Sequence, residues 1–428
     1  MPSRAVITGI GVVSPFGIGF ENWTNNLRAA SSATRKISLF DPEIPVPSNR
    51  FIEPLPCHVA AEVPDFAPEN YVSPKDLNRV PRVVPLALCA AREALESADL
   101  LAMTDEERAQ TGVLLGSGGG GFSFAEAQFA LWFGGHDKQL SPYAISSSIP
   151  GMVSSEISIA HGFTSRSHTI SDGCTSSSDA LGYALDLIRS GREKRLLVGG
   201  ADGCVTPGMM AGFCLMRAVP TSFNDAPERA SRPFSADREG FVLGEGAWLF
   251  VVESLEEARR RGAKIWAEIA GFGASCEAYH RVALKSPQQA ARAMKIALDD
   301  AQIAPQNLDY ANLHGTGTAL NDPIETAATK IALGARAAQI PMSSTKSQIG
   351  HPQGASGAAG VAAALSAVHG EFLPPTINLE TPDPDCDLDY VPNVAREAKI
   401  ETALCNCLGF GSKNAALVLK KWSDDDAN

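Results

Sequence analysis

The chain lacks a long hydrophobic run. Hydrophobic residues make up 44% of its 428 positions. No stretch, however, reaches the roughly 18 consecutive apolar residues that a membrane helix needs, so no helical membrane span is expected. Positive charge is also scarce, with 36 Lys and Arg against 48 Asp and Glu and a net charge of −12. A general nucleic-acid binder needs basic surface to displace counterions, which argues against that class. An acidic partner is met only through a local basic patch. The opening MPSRAVITGIGVV has one early arginine and no charged region, apolar core and cleavage site in succession, so no secretory signal is visible. The nine cysteines form no repeated spacing. An odd, scattered set reads as reduced thiols in a cytoplasmic protein. Cys405-x-Cys407 is not the two-residue spacing of a zinc knuckle and has no Cys/His pair beside it, so no metal is expected. It reads as two strand cysteines on one face.

What is present is alternation. AVITGIGVVS reads as strand then turn, and PRVVPLALCAAREALESADL as helical after Pro85. TGVLLGSGGGG is strand then glycine loop. SSDALGYALDLIRSG is a helix closed by Gly191, and RLLVGGADG is a further strand and turn. The pattern predicts an α/β protein with a mainly buried sheet. The second half repeats the theme. AEIAGFGAS (267–275) echoes AVITGIGVV (5–13), with Gly271 and Gly273 matching Gly9 and Gly11. DYANLHGTGT runs from strand into glycine turn, GASGAAGVAAALSAVHG is a small-residue helix, and ALCNCLGFGSKNAALVLKK is two strands around a glycine loop. Two diverged copies of one α/β unit are expected, residues 1–258 and 259–428, joined near the charged helix ESLEEARRRGAK. The tail WSDDDAN is polar and reads as frayed.

Three features carry chemistry. Gly116-Ser-Gly118-Gly-Gly-Gly121 fits G-x-G-x-x-G, but it lies far from the first strand, and the acidic residue expected about 20 positions on falls near Asp137 in a loop. A tight turn beside a pocket fits it better than a dinucleotide site. Cys174 in SDGCTSSSDALG precedes an amphipathic helix, where the helix dipole and free N–H groups favour a thiolate. From that stretch alone a buried structural cysteine is the favoured reading, since most cysteines are not catalytic. His314 and His351 each follow a strand at a glycine turn, and such turns cluster at the carboxyl ends of strands in an open α/β sheet. Lys346 lies in the loop of His351. A thiol, two imidazoles and an ammonium group suit thioester chemistry, and no further residue completes a metal site.

The chain resembles the elongating β-ketoacyl-acyl-carrier-protein synthases, condensing enzymes of the thiolase superfamily. The likeness runs through VITGIGVVSPFG, SRPFSADREGFVLGEGAWLFVVESLEEARRRGAKIWAEI, HGTGTALNDPIE, STKSQIGHPQGASGAAG, LPPTINLETPDPDCDLDYVPNVARE and NCLGFGSKN, in order. It implies a five-layered αβαβα fold from two related halves, and a homodimer or a heterodimer with a related subunit. It makes Cys174 the nucleophile that takes an acyl chain from a carrier's phosphopantetheine arm. The N–H groups of Cys174 and Phe410 would form the oxyanion hole. His351 and His314 would stabilise the enolate of decarboxylated malonyl-carrier, with His314 also a candidate for activating water, and Lys346 would hold their electrostatics. No bound cofactor is implied. Phe410 would be the gate, and Phe213 and Gly119 would line the acyl pocket. Lys75, Arg79 and Arg82 would form a basic helix that docks an acidic acyl carrier protein. A non-catalytic partner subunit that sets chain length is the alternative, set against the retention of Cys174, His314 and His351.

Four departures from the family pattern stand out. Asp172-Gly173 precede Cys174 where Thr-Ala is usual. Gly360 stands where a glutamate often pairs with the lysine, leaving the partner of Lys346 open. Ser412 and Lys413 replace the commoner Gly-Thr. Gly119 replaces a bulky gate residue, which predicts an open tunnel tolerant of long or bulky acyl chains.

Overall fold

The two strands that echo each other in sequence lie side by side in the fold. In this computed structural model, which describes residues 3–43 and 54–423, β1 (Ala5–Ser14) pairs antiparallel with β6 (Ala267–Cys276) through Ala5–Ile7 and Ala267–Ile269. Residues 424–428 of the WSDDDAN tail lie outside the described residues. The first half adds β2 (Thr111–Gly116), β3 (Ser167–Ile170), β4 (Arg195–Asp202) and β5 (Gly246–Ser254). The second adds β7 (Tyr310–Asn312), β8 (Met342–Ser343), β9 (Thr402–Gly409) and β10 (Lys413–Lys421).

From the β1–β6 junction the order runs β1-β5-β4-β2-β3 on one side and β6-β10-β9-β7-β8 on the other. The second order is the first with five added to every label. Directions repeat too. β1–β5 and β5–β4 are antiparallel, as are β6–β10 and β10–β9, whereas β4–β2, β2–β3, β9–β7 and β7–β8 are parallel. The glycine echo has a steric cause. A Cβ on Gly9 or Gly11 would lie 2.2 Å from the carbonyl oxygen of Ala94 or 1.9 Å from that of Ala90. On Gly271 or Gly273 it would lie 2.3 Å from the carbonyl oxygen of Ala297 or 2.1 Å from that of Ala293. Each glycine pair therefore lets one helix rest directly on its strand.

Those helices are α1 (Val83–Ser97) and, in the second half, α5 (Pro287–Asp300). Between them in sequence come α2 (Phe122–Phe133), α3 (Met152–His161) and α4 (Ser176–Arg189). After them come α6 (Asn321–Leu333) and α7 (Ser356–Gly370). α1 begins at Val83, two residues before Pro85, because the first helical turn needs no N–H from proline. Strand alternation sorts the core into layers. Val113, Leu115, Leu197, Leu249 and Val251 pack outward on α1 and α3. Leu114, Leu196, Val198, Phe250 and Val252 pack inward on α4 and α7. Leu404, Leu408, Ala416 and Val418 pack on α5 and α6 at the far side. The layers are helix, sheet, helix, sheet, helix, with α4 and α7 in the middle. Residues Ser356 to Val368 of α7 are all buried, which explains its small-residue composition. Among the described residues, no helix is long and apolar enough to cross a membrane.

α4 and α7 meet at their N-terminal turns. A Cβ on Gly357 would sit 2.1 Å from Ser178 Oγ and 2.7 Å from the Ser178 nitrogen. The first turns of the two helices are therefore nearly in backbone contact. Gly357→Ala forces them apart and is expected to cost about 1–3 kcal/mol, the range for overpacking a filled core. Urea unfolding measures this, and wild-type stability in the variant would contradict the packing argument.

Candidate active site

Equivalent turns of the two halves deliver the reactive groups. A 3-10 turn, Gly173–Thr175, leads into α4 and carries Cys174. Its counterpart, Gln353–Ala355, leads into α7 just after His351. Gly173 has φ +68°, a backbone shape that glycine adopts without steric cost. Because the helices meet at these turns, His351 Nε2 lies 3.2 Å from Cys174 Sγ. His314 follows β7 and packs edge-on to His351 with ring centroids 5.2 Å apart. Lys346 opens the short helix Lys346–Ile349 that follows β8. Phe410 lies between β9 and β10. The residues singled out in sequence as Cys174, His314, His351, Lys346 and Phe410 are thus brought together. All but Lys346 line one cavity of about 350 Å³, which is mostly apolar and opens past Arg217 and Val282–Leu284.

The tautomer of His351 follows from its partners. The backbone N–H of Gln353 donates to Nδ1 at 3.1 Å, and Ser356 Oγ lies 2.9 Å from the same atom. An accepting Nδ1 leaves the proton on Nε2. His351 therefore presents an N–H donor to the space above Cys174 and is not set up as a base. Burial, with the nearby Lys346 charge, holds His314 and His351 well below the ordinary histidine pKa. Both are neutral at physiological pH.

Cys174 departs from the expectation of a stabilised thiolate. The stabilising groups are present, since the backbone N–H groups of Phe410 and of Cys174 itself reach Sγ and Lys346 acts from further away. Burial outweighs them and pushes the thiol up to about 11. The resting group is a thiol framed by two N–H donors and an imidazole N–H. Lys346 is itself lowered by burial, while Cys407, Glu325, Cys174 and Asp322 act to keep it charged. Glu325 and Asp322 thus supply the carboxylates that Gly360 does not. The space beside Gly360 is taken by Asn312 Oδ1, 2.9 Å from where a Cβ would stand.

Several supporting residues escaped the sequence reading. Glu325, in the first turns of α6, accepts N–H bonds from His314 and Gly315, each at 2.7 Å, and one from Asn406 Nδ2 at 2.6 Å. It fixes the His314 turn, and its signal was the acidic pair in NDPIE after a glycine turn. Cys407 faces inward with Cys405 on β9. Its thiol donates to the Cys174 carbonyl at 3.0 Å and lies 3.5 Å from His314 Nδ1. Asp202, at the end of β4, explains the glycine loop. Its carboxylate accepts from the N–H groups of Gly118, Gly119 and Gly354 at 2.8, 2.9 and 2.6 Å, and from Ser117 Oγ at 2.8 Å. The anion in that cradle is the chain's own, and it ties the loop to the turn after His351.

Three expectations need correction. Gly119 does not open the cavity, because Cys204 Sγ lies 2.0 Å from where its Cβ would be. A glycine is required there by the neighbouring cysteine, and the tolerance argued from it loses its basis. Phe213 is buried against Phe241 with centroids 5.0 Å apart, and Phe241 in turn abuts His351 at 5.2 Å. It backs the site through Phe241. Residues 75–82 form no basic helix. Leu77–Arg79 is a single 3-10 turn, and Arg82 is held by the buried Glu245 at 2.8 and 2.7 Å. Arg79 pairs with Asp76 at 2.8 Å, while Lys75 is exposed. The exposed cation lining the cavity is instead Arg217, while the exposed Arg281 and Lys285 flank its lining segment Val282–Leu284 in the chain.

One donor atom each from Cys174, His314 and His351 lie within 4.8 Å of one another, close enough for a metal ion. The Lys346 charge that acts on all three opposes a second cation there. A buried thiol, two neutral imidazoles and two N–H groups aimed at sulfur define, in a thiolase-like fold, an enzyme that handles thioesters.

The family model described as beta-ketoacyl synthase, N-terminal domain, matches residues 3–258, and its C-terminal counterpart matches residues 266–380. The chain belongs to the β-ketoacyl synthase family. It is 38% identical to 3-oxoacyl-acyl-carrier-protein synthase 2 of Rhizobium meliloti, over 98% of this chain and 99% of that protein. It is 41% identical to a protein of Streptomyces cyaneus named for polyketide β-ketoacyl synthesis, over 98% of both chains. Among solved structures, a type II polyketide synthase assembly of acyl-carrier protein and ketosynthase bound to a hexaketide matches with TM-score 0.89 and 31% identity, covering 99% of this chain and all of the other. The ishigamide ketosynthase/chain length factor matches at 0.88 and 34%, with the same coverage of this chain.

The neutral histidines have a measurable consequence. Unfolded histidines take up protons below about pH 6.5, while His314 and His351 in the folded chain do so only at lower pH. The unfolded state therefore binds more protons, and stability falls as pH drops from about 7 to 5. His314→Gln removes one such group. Its stability-against-pH slope in that window is expected to be smaller than the wild type's by up to one proton, about 1.4 kcal/mol per pH unit. Urea unfolding at pH 5, 6 and 7 measures this. Equal slopes would show that His314 titrates normally.

Proposed function

We propose that the protein condenses an acyl group held on Cys174 with malonyl-acyl-carrier protein, in fatty-acid or type II polyketide-like synthesis. The observation that carries this is the convergence at one buried sulfur of the Phe410 and Cys174 N–H groups and the Nε2–H of His351. The half 1–258 supplies the nucleophile and the half 259–428 the two histidines. An acyl carrier protein brings each substrate on a phosphopantetheine arm through the cavity mouth.

First, Sγ bonds to the carbonyl carbon of the acyl thioester. The two backbone N–H groups hold the oxyanion, the carbon–sulfur bond to the arm breaks, and the cysteine proton leaves on the released thiol. Second, the malonyl carbon–carbon bond breaks. Carbon dioxide departs and its bonding pair forms an enolate, whose oxygen receives N–H donation from His351 and His314. Neutral donors suit this step, since they stabilise the enolate without protonating its carbon. Third, the enolate carbon attacks the acyl-cysteine carbonyl, with the oxyanion again in the N–H pair. Collapse expels the cysteine thiolate, which regains a proton from solvent, and leaves a β-ketoacyl carrier two carbons longer.

A second chain covers the β3 edge. Ser167 and Thr169 hydroxyls on that edge strand are buried without a partner. Phe129, Phe133, Ile145 and Ile159, in the segments before it, are 61, 83, 79 and 73% exposed. Large apolar side chains left exposed near a strand at the sheet edge mark an interface. The occupant is a second copy of this chain, with a related subunit as the other outcome.

Two tests follow. Cys174→Gln cannot be acylated but keeps both histidines, so it is expected to release carbon dioxide from malonyl-carrier. His351→Ala in the same background should lower that rate at least tenfold, as removal of an oxyanion donor does. A Cys174→Gln protein with no decarboxylation would contradict the histidine roles. Sedimentation should show the wild type as a dimer and Phe133→Asp/Ile145→Asp as a folded monomer. A monomeric wild type, or an unchanged double variant, would contradict the interface.

A further inference from the structure

Two of the departures from the family pattern meet in space. Asp172, before the nucleophile, and Lys413, after the Phe410 loop, are 241 positions apart in the chain and form an ion pair. The loop and the nucleophile turn lie backbone on backbone. A Cβ on Gly409 would be 3.4 Å from the Cys174 nitrogen, and one on Gly173 would be 3.7 Å from the Phe410 oxygen. Such flat contact gives little side-chain interlocking. On its outer side the loop is held by Gly411 N–H to the Arg281 oxygen at 2.8 Å and by Ser412 Oγ to the His280 oxygen at 2.9 Å. Between these ties Gly411 and Ser412 have φ +82° and +64°, a left-handed pair in which the serine is disfavoured. Glu277 N–H to the Ser412 oxygen at 2.9 Å and His280 N–H to Ser412 Oγ at 3.3 Å hold that pair on the same side. The segment carrying the Phe410 N–H is thus anchored towards residues 277–281, and its tie to the nucleophile turn is a separate one.

We propose that the Asp172–Lys413 ion pair is a latch that holds the Phe410 loop on the nucleophile turn and so positions the Phe410 N–H at Cys174 Sγ. Asp172 and Lys413 are positioning residues, acting on the oxyanion through the loop backbone. The pair joins the residue two before the nucleophile to the residue three after the donor, so it spans both arms of the oxyanion hole. Its side chains are 33 and 40% exposed. Salt therefore screens it, and the latch weakens as ionic strength rises. The inference rests on the reaction proposed above.

The test uses the full chain as wild type, Asp172→Asn, Lys413→Met, and the charge swap Asp172→Lys/Lys413→Asp. Hydrogen exchange of the amides in segment 408–413 should be several-fold faster in both single variants, with exchange elsewhere unchanged, and should return towards wild type in the swap. At saturating acyl-carrier the rate of Cys174 acylation should fall by about tenfold in the singles, less than for outright loss of an oxyanion donor. KM should hold, and the swap should recover most of the rate. High salt should slow the wild type but not the singles. Wild-type exchange in the singles, or a swap no better than they are, overturns the latch. Faster exchange with an unchanged acylation rate overturns the positioning role. The exchange readout needs no substrate. A wild type that takes no acyl group therefore counts against the proposed reaction, while the exchange result still decides the latch.

Discussion

The site depends on how closely two helix N-termini approach across the pseudo-symmetric centre of the fold. Gly357 lets the first turn of α7 press on Ser178 in the first turn of α4. The turns before those helices hold Cys174 and His351, so the approach alone brings thiol and imidazole to 3.2 Å. Both groups sit where helix N–H groups are free, which suits a site that must stabilise oxyanions. The central layer can be this tight because α7 is built of alanine, glycine, serine and valine with few large side chains.

Buried carboxylates then hold the loops that the helices do not reach. Asp202 gathers three N–H groups and a hydroxyl from the glycine loop and the turn before α7. Glu325 does the same for the His314 turn. Burial raises the pKa of each, and these hydrogen bonds offset that cost. Lys346 lies near Glu325 and Asp322, and its charge adds to the burial that keeps the imidazoles neutral. Acid–base chemistry at the site is therefore suppressed and hydrogen-bond donation favoured, in line with a reaction whose intermediates are an enolate and tetrahedral oxyanions.

Much of this was legible in the sequence. The echo of Gly9 and Gly11 in Gly271 and Gly273 marked the repeat, because helix-on-strand packing excludes any side chain at those positions. His314 and His351 were legible from their glycine turns, which cluster at the ligand-binding end of a parallel sheet, and Cys174 from its place before an amphipathic helix taken together with those histidines and the family motifs. What could not be read depended on distant pairing. Gly119 looked like an open gate until Cys204 was found in its place. Arg82 looked like a docking cation until Glu245, 163 positions away in the chain, was found to hold it. The odd residues Asp172 and Lys413 had no common meaning until the fold joined them.

The most direct measurement is peptide-mapped mass spectrometry of the wild-type chain, mixed with acyl-carrier and then with malonyl-carrier. The account predicts an acyl adduct on Cys174 and on none of the other cysteines. After malonyl-carrier is added, that adduct should disappear and a β-ketoacyl carrier longer by two carbons should form. An adduct elsewhere, or none with any acyl chain, would contradict it.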